Sequence, residues 1–404
     1  MDLTKWLPPR LRAALREVRA NLEVLRRNLT GTALVPQEEP SEAPADEDTI
    51  HPPPPRPDEP KDGLRARFRD LRVAEVIHQT EDAVTVVFDN PGPDRLSFHP
   101  GQYITLLLTR GGVQLRRAYS LCSDAAEPER VAITVKRVAD GRVSNWINDH
   151  LEPGRVIRTL GPGGRFGIDE IRPKARRRLV LVGAGAGITP LYAIAQSITA
   201  SEPASRVELI YGSRRWSDVI FRDELARLAS ERTRLHVRHV LTQPPGNWAG
   251  LRGRIAGDNL AALLPVDRRA QYYVCGPHGM MEGVVQFLLE GGIPNSRIHT
   301  ERFVPQGSGA VRAGTGAVHL VRLLRSEAVL KVKDTDTILD VGLAADLALP
   351  SSCRIGGCGA CRQRVLKGEV EMEEPNCLTE RERRQGYRLL CVGRPTRGPV
   401  EIDV

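Results

Sequence analysis

The spacing of hydrophobic positions changes several times along this chain, and each change marks a boundary. Leu11, Leu15, Val18, Leu22, Leu25 and Leu29 recur at alternating steps of four and three, one stripe of a helix whose other faces carry arginine. Pro8 and Pro9 suit its entry and Gly31 its exit, so residues 1–31 are expected to form an N-terminal amphipathic helix. Residues 32–63 are rich in proline and acid, including the run Pro52 to Pro55. They cannot bury enough apolar area to fold and read as an extended tether. From Leu64 the period shortens. The runs Ala83–Phe88 and Tyr103–Leu108, with turn signals at Asn90-Pro-Gly-Pro93 and Arg110-Gly-Gly112, predict a small antiparallel β-barrel over 64–172. Short apolar runs at Arg178–Val182, Val207–Tyr211 and Tyr272–Val274 then alternate with helical stretches such as Leu191–Ile198. That alternation predicts an α/β doubly wound parallel sheet over 173–303. Gly307, Gly309, Gly314 and Gly316 make 304–316 a flexible hinge. The remainder, 317–404, opens with apolar runs at Val318–Leu324 and Val329–Val332. Thr337 and Asp340 then give a capping-box-like helix start. This pattern reads as an α+β, ubiquitin-like mixed sheet with the helix packed across it.

At 404 residues the chain is long enough for several such domains, each with its own core. No apolar run is long enough to span a bilayer. The net charge of +8 is an arginine surplus spread along the chain, and nothing resembles a nucleic-acid motif. Three readings of the N-terminal helix stay open: packing on this protein or a partner, contact with an anionic membrane surface through residues 10–29, or an organellar transit peptide. Glu17 and Glu23 interrupt the basic face and weigh against the last.

Cysteine adds the first chemistry. Pro350-Ser-Ser-Cys-Arg-Ile-Gly-Gly-Cys-Gly-Ala-Cys361 spaces Cys353, Cys358 and Cys361 as C-x₄-C-x₂-C, with Cys391 following about thirty residues later, the plant-type [2Fe–2S] spacing. Gly356, Gly357 and Gly359 suit a loop whose backbone N–H groups must approach cluster sulfur closely. Structural zinc usually takes two short Cys/His pairs and fits the triplet poorly. The chain resembles plant-type ferredoxins over about its last ninety residues, with Ser351 where many members carry an aromatic residue. Cys122, Cys275 and Cys377 are left over. That odd remainder, with no secretory signal, argues for a reducing, cytoplasmic setting.

Within the barrel, Pro100-Gly-Gln102 and Arg117-Ala-Tyr-Ser120 together resemble the flavin-binding signature of ferredoxin–NADP⁺ reductase-type enzymes. The resemblance implies FAD, favoured over FMN because the family uses the second site described below for a diphosphate. Arg117 would neutralise its phosphate, Ala118 would line the site, Tyr119 would stack on the ring, and Ser120 would reach its N5 edge. Val135 and Lys136, then Gly141, Val143 and Ser144, place a glycine turn before a helix at Asn145–Leu151. A Ser-capped N-terminus there would receive a diphosphate. Gly161-Pro-Gly-Gly164 and Phe166 resemble the family's closing turn.

The turn Gly183-Ala-Gly-Ala-Gly187-Ile-Thr-Pro190 joins an apolar run to a helix, which matches a dinucleotide-phosphate site. The resemblance extends from Leu64 to Phe303. It implies cofactor contacts from Gly183, Gly185, Gly187, Thr189 and Pro190, and from Cys275, Gly276, Pro277 and Met281. Cys275 would lie near the hydride-bearing carbon, with Glu301 and Phe303 near the flavin. Ser120, Cys275 and Glu301 are thus the expected catalytic residues. Ser213, Arg214 and Arg215 offer a hydroxyl and two cations where the ribose lies, with no acid before Asp218. This favours NADPH, with NADH the alternative.

The order of domains, reductase first and ferredoxin last, resembles the electron-transfer components of multicomponent oxygenases. That class includes reductases serving phenylacetyl-CoA epoxidation, ketosteroid hydroxylation and fatty-acyl desaturation. It implies an oxidoreductase that passes electrons from NAD(P)H through FAD and a [2Fe–2S] cluster to a terminal oxygenase, hydroxylase or desaturase component. The alternative is a redox-sensing or scaffold flavoprotein with little turnover.

Overall fold

The computed structural model describes residues 68–303 and 315–404, apart from 94, 111–112, 128, 165, 352–353, 355, 358, 374–375 and 379. The expected helix at 10–29, the tether and most of the hinge lie outside the described residues.

The first sheet is formed by β1 (Phe68–Thr80), β2 (Ala83–Asp89), β3 (Tyr103–Arg110), β4 (Val113–Ser120), β5 (Arg130–Lys136) and β6 (Val156–Gly163), with α1 (Ser144–His150) before β6. Its order is β4-β3-β6-β1-β2-β5, and every neighbouring pair is antiparallel. An antiparallel bridge between Leu121 and Ile133 joins the two edges and closes the barrel. The interior is filled by Val84, Val86, Phe88, Ile104, Leu106, Leu108 and Ile133. Alternate residues of β2 and β3 supply most of these, as a period of two requires.

The second sheet is formed by β7 (Arg178–Ala184), β8 (Arg206–Ser213), β9 (Leu235–Leu241), β10 (Leu251–Arg252), β11 (Gln271–Cys275) and β12 (Ile298–Glu301). Helices α2 (Ile188–Ser201), α3 (Arg222–Glu231), α4 (Asn259–Leu263) and α5 (His278–Glu290) connect them. The order β10-β9-β8-β7-β11-β12 is parallel throughout. The sheet is covered on both faces, so β7 is buried along nearly its whole length. Leu179, Leu181, Leu209, Tyr273 and Cys275 pack on the side of α2 and α3. Val180, Val182, Ile210, Tyr272 and Val274 pack on the side of α4 and α5.

The α2 side is also where the barrel joins, because Ala83, Cys122, Ala132, Phe166 and Ile168 belong to the same buried cluster. Hydrogen bonds fix that seam. Gln196 Nε2 donates to Cys122 O (2.8 Å), Ser197 Oγ to Asp124 Oδ1 (3.1 Å) and Tyr273 Oη to Gly167 O (3.3 Å). Gln79 of β1 accepts the Phe221 N–H (3.1 Å) and donates to Glu224 Oε1 (2.9 Å), which ties the barrel to the start of α3.

The third sheet is formed by β13 (Val318–Leu323), β14 (Ala328–Lys333), β15 (Arg362–Met372), β16 (Tyr387–Leu389) and β17 (Gly393–Ile402), in the order β14-β13-β17-β15-β16. It is mixed, with β13 and β17 parallel and the other pairs antiparallel. Helix α6 (Ile338–Ala344) starts as the sequence predicts: Thr337 is its N-cap and accepts the Asp340 N–H at 3.2 Å. Its Ile338 and Leu339 join the core under the sheet, while α7 (Glu380–Arg384) precedes β16.

Candidate functional site

In the parallel sheet the chain leaves β7 in one direction and returns through β11 on the other side, so the crevice between their carboxyl ends is the topological switch point. Two turns meet there. Gly183–Gly187 runs from β7 into α2, whose N-terminus no side chain caps, an arrangement suited to phosphate. Cys275-Gly276-Pro277 leads from β11 into α5. A Cβ on Gly187 would stand 2.1 Å from Cys275 O, so the backbones are in direct contact. Thr189 Oγ1 donates to Ala186 O (3.0 Å) and steadies the turn. Thr189 and Pro190 are buried beneath it.

At this point the barrel contributes the end of β4. Ser120 is buried, and its hydroxyl donates to Glu301 Oε2 over 3.4 Å. Glu301 and Cys275 are register partners on adjacent parallel strands, so their side chains share a face. The three residues that the sequence singles out therefore converge from β4, β11 and β12. Burial pushes the Cys275 thiol well up, and the Glu301 charge pushes it further, which keeps it a neutral thiol.

On the barrel side, Arg117 is half-buried, and its Nη1 donates to Arg116 O at 2.8 Å. Burial chiefly, and repulsion from Arg142 in part, lower its pKa. Two guanidiniums close enough to repel suit an anionic group between them. Ala118 and Tyr119 are partly buried, and burial raises the Tyr119 phenol. Val135 and Val143 are core residues, and Val135 O accepts from Asn148 Nδ2 (3.1 Å). The expected serine cap does not form. Val143 is the N-cap of α1 and makes no side-chain cap bond. Ser144 Oγ instead accepts the Val138 N–H (3.2 Å), which bends the turn around Gly141.

On the nucleotide side, Ser213 ends β8 with its hydroxyl buried, while the neighbouring Tyr211 hydroxyl donates to Gly185 O (3.1 Å). Arg214 is held by carboxylates from both domains. Its Nε lies 3.3 Å from Asp218 Oδ2 and its Nη2 lies 3.9 Å from Asp82 Oδ2, a residue of the barrel. Lys136 Nζ approaches the same Asp82 oxygen at 3.5 Å. Sequence reasoning missed an aromatic group beside this site. Trp216 meets His239 edge-on at 5.1 Å and Trp248 at 5.3 Å, and His239 leans on Tyr211. Burial lowers His239 to about 4, and its Nδ1 is unpaired. Trp216, two residues beyond Arg214, was the available signal. Met281 is packed into the core, whereas the Met280 methyl is what would meet a Cβ at Gly276. Phe303 is exposed.

In the third domain Cys361 and Cys391 are buried, while Cys353 and Cys358 lie outside the described residues. Gly356 donates its N–H to Cys391 Sγ at 3.2 Å. Gly356 and Gly359 take φ of 73° and 70°, which L side chains rarely adopt. A loop that aims backbone N–H groups at thiolate sulfur fits an iron–sulfur cluster, and these residues could hold one.

A flavin barrel locked to a doubly wound nucleotide domain and followed by a cluster-binding domain defines a class of electron-transfer flavoproteins. The sequence matches the oxidoreductase FAD-binding domain over residues 70–168, the oxidoreductase NAD-binding domain over 181–286 and the 2Fe-2S iron-sulfur cluster binding domain over 321–396. The chain belongs to the family of oxygenase-system reductases that carry these domains in this order. It is 34% identical over 350 residues to a component of the 1,2-phenylacetyl-CoA epoxidase of Escherichia coli (strain K12), covering 83% of this chain and 97% of that protein. It is 34% identical to the 3-ketosteroid-9-alpha-monooxygenase ferredoxin reductase component of Mycobacterium tuberculosis (strain CDC 1551 / Oshkosh), covering 82% of this chain and 95% of the relative. Among solved structures, phthalate dioxygenase reductase is similar with a TM-score of 0.58 and 26% identity, over 83% of this chain and 98% of that one. Among the described residues, no helix is long and apolar enough to cross a membrane.

Proposed function

We propose that this protein is the reductase of a multicomponent oxygenase system, taking hydride from NADPH and delivering electrons one at a time to a partner. Bound FAD and a [2Fe–2S] cluster would supply the redox chemistry, converting a two-electron donor into a one-electron source. The protein's own part is placement. Arg117 and Tyr119 hold the flavin, with Ala118 and Ser120 beside them and with Val135, Lys136, Gly141, Val143 and Ser144 at its diphosphate. Gly183, Gly185, Gly187, Thr189, Pro190, Gly276 and Pro277 shape the nucleotide crevice. Ser213 and Arg214 receive the 2′-phosphate, and Phe303 covers the flavin edge. Cys275 contributes a small neutral wall. The Ser120 hydroxyl and the Glu301 carboxylate form a short path for a proton at the seam. Cys353, Cys358, Cys361 and Cys391 hold the iron.

The observation that carries this reading is the convergence of Ser120, Cys275 and Glu301 at the junction of barrel and nucleotide sheet. The partner is an oxygenase component. A hydroxylase or desaturase is the narrower form of the same reading, and peripheral contact through residues 10–29 would bring the reductase to a membrane-bound one. Anaerobic titration of the purified holoprotein with NADPH and then NADH tests the core of it. Both flavin and cluster bands should bleach, NADPH the more readily. Bleaching of the flavin with an unchanged cluster spectrum would refute the electron path.

A further inference from the structure

Asp82 sits between β1 and β2, at the tip of a barrel hairpin, with its Oδ1 accepting from Thr80 Oγ1 at 3.0 Å. Its other oxygen faces a cation from each half of the reductase: Lys136 at 3.5 Å and Arg214 at 3.9 Å. Asp218 meets Arg214 from within the nucleotide domain at 3.3 Å. Arg214 is thus opposed by two carboxylates, Asp82 and Asp218, with Lys136 sharing Asp82, while among the described residues Arg215 beside it meets only the neutral Gln243 at 3.3 Å. Asp218 is local to Arg214 in sequence, four residues on, and is part of the turn that presents it. Asp82 is supplied by a different domain.

We propose that Asp82 sets the nucleotide preference of this reductase by opposing Arg214, which weakens the site for the 2′-phosphate of NADPH relative to the 2′-hydroxyl of NADH. The proposal rests on the reading of Arg214 as the 2′-phosphate ligand. Asp82 acts through Arg214 and is a positioning residue. It holds the guanidinium toward the barrel and adds one negative charge within reach of the incoming phosphate. Arg214 is largely exposed, so water screens the effect. One carboxylate acting on a dianion across such a site should change a binding ratio by about three- to tenfold.

The test is the ratio of kcat/KM for NADPH to that for NADH, measured on the full-length holoprotein with cytochrome c as acceptor and flavin content matched between variants. Asp82→Asn should raise the ratio about three- to tenfold, and about 0.5 M salt should shrink the gain, because screening weakens charge effects but not a structural change. Asp82→Glu, which keeps the charge, should return the ratio toward that of the unaltered protein. Arg214→Gln should lower it. If Arg214→Gln lowers the ratio while Asp82→Asn leaves it within about twofold, the Asp82 proposal is wrong and the Arg214 reading stands. If Arg214→Gln does not move the ratio, both fall.

Discussion

Gly187→Ala is the most direct perturbation of the crevice. Its φ is ordinary, so alanine brings no backbone strain and the effect is purely one of space. The new methyl would lie 2.1 Å from Cys275 O, 2.5 Å from Cys275 C and 2.8 Å from Gly276 N. A carbon and a carbonyl oxygen ordinarily meet at about 3.3 Å, so the turns after β7 and β11 must part by about 1 Å. Both are anchored by buried strands, and no flexible side chain can yield. Overpacking of this kind costs about 1–3 kcal/mol, and the backbone contact puts it at the upper end. Part of that strain should be relieved by moving Cys275 away from Ser120 and Glu301. A displacement of about 1 Å at a reacting site lowers a rate by about a hundredfold. Gly185→Ala is the control. Its φ of 55° makes alanine strained, yet nothing lies within 4 Å of the new methyl, so the cost is about 1–2 kcal/mol without displacement of Cys275. Thermal unfolding gives the stability of each variant, and stopped-flow bleaching of flavin absorbance gives the hydride-transfer rate. If Gly187→Ala, at saturating nucleotide, bleaches as fast as the unaltered protein, the claim that this backbone contact positions Cys275 is wrong.

Other outcomes follow from different parts of the molecule. Glu202 is fully buried, with Oε1 accepting from Arg172 N (2.9 Å) and lying 3.1 Å from Arg177 Nη2, and Oε2 accepting from Ser205 Oγ (2.8 Å). Glu202→Ala removes the acceptor of the Arg172 N–H and the carboxylate facing Arg177, although Arg177 and Ser205 keep Glu170 O and Ala175 O as acceptors. It should lower stability by about 3 kcal/mol in urea titration, with Glu202→Gln milder. The His239 pKa is depressed from 6.5 to about 4 by burial, so its neutral ring favours the fold fully above pH 6.5. That contribution, at most about 3 kcal/mol, is lost as the pH falls through about 4. His239→Phe should flatten this part of the stability profile, which denaturant midpoints at several pH values would show. Cys391→Ser should abolish the cluster's visible absorbance while NADPH still bleaches the flavin, and loss of both would contradict separate domains.

What the sequence discloses is what local periodicity controls. The alternation in Ala83–Phe88 becomes a barrel strand, and the apolar run at Arg178–Val182 becomes a strand buried on both faces, because burial selects side chains residue by residue. The Thr337 cap is equally local. Ser144 has the sequence context of another cap, but the Val138 N–H takes its hydroxyl, and that competition depends on the fold of the turn. The Asp82–Arg214 pair was beyond reach for a further reason. It joins residues on separate domains, and no pattern along either segment records how those domains dock. The same holds for the Trp216, Trp248 and His239 group, assembled from strand β9 and the connections on either side of it.

The seam explains how residues as far apart in sequence as Ser120 and Glu301 are held together. A barrel joined to a nucleotide domain by charges alone would let Ser120 drift from Glu301, since surface ion pairs contribute little. Here the join is a continuation of a hydrophobic core, in which Phe166 meets Tyr273 edge-on at 5.5 Å and Tyr273 stacks on His299 at 4.6 Å. Tyr273 and Cys275 point to the same side of β11, two residues apart, and His299 and Glu301 likewise on β12. The aromatic pair therefore sits one step below the Cys275 and Glu301 pair on the same two strands. Moving Glu301 relative to Ser120 would require that stack to shear against Phe166 of the barrel, and close-packed interiors resist such movement.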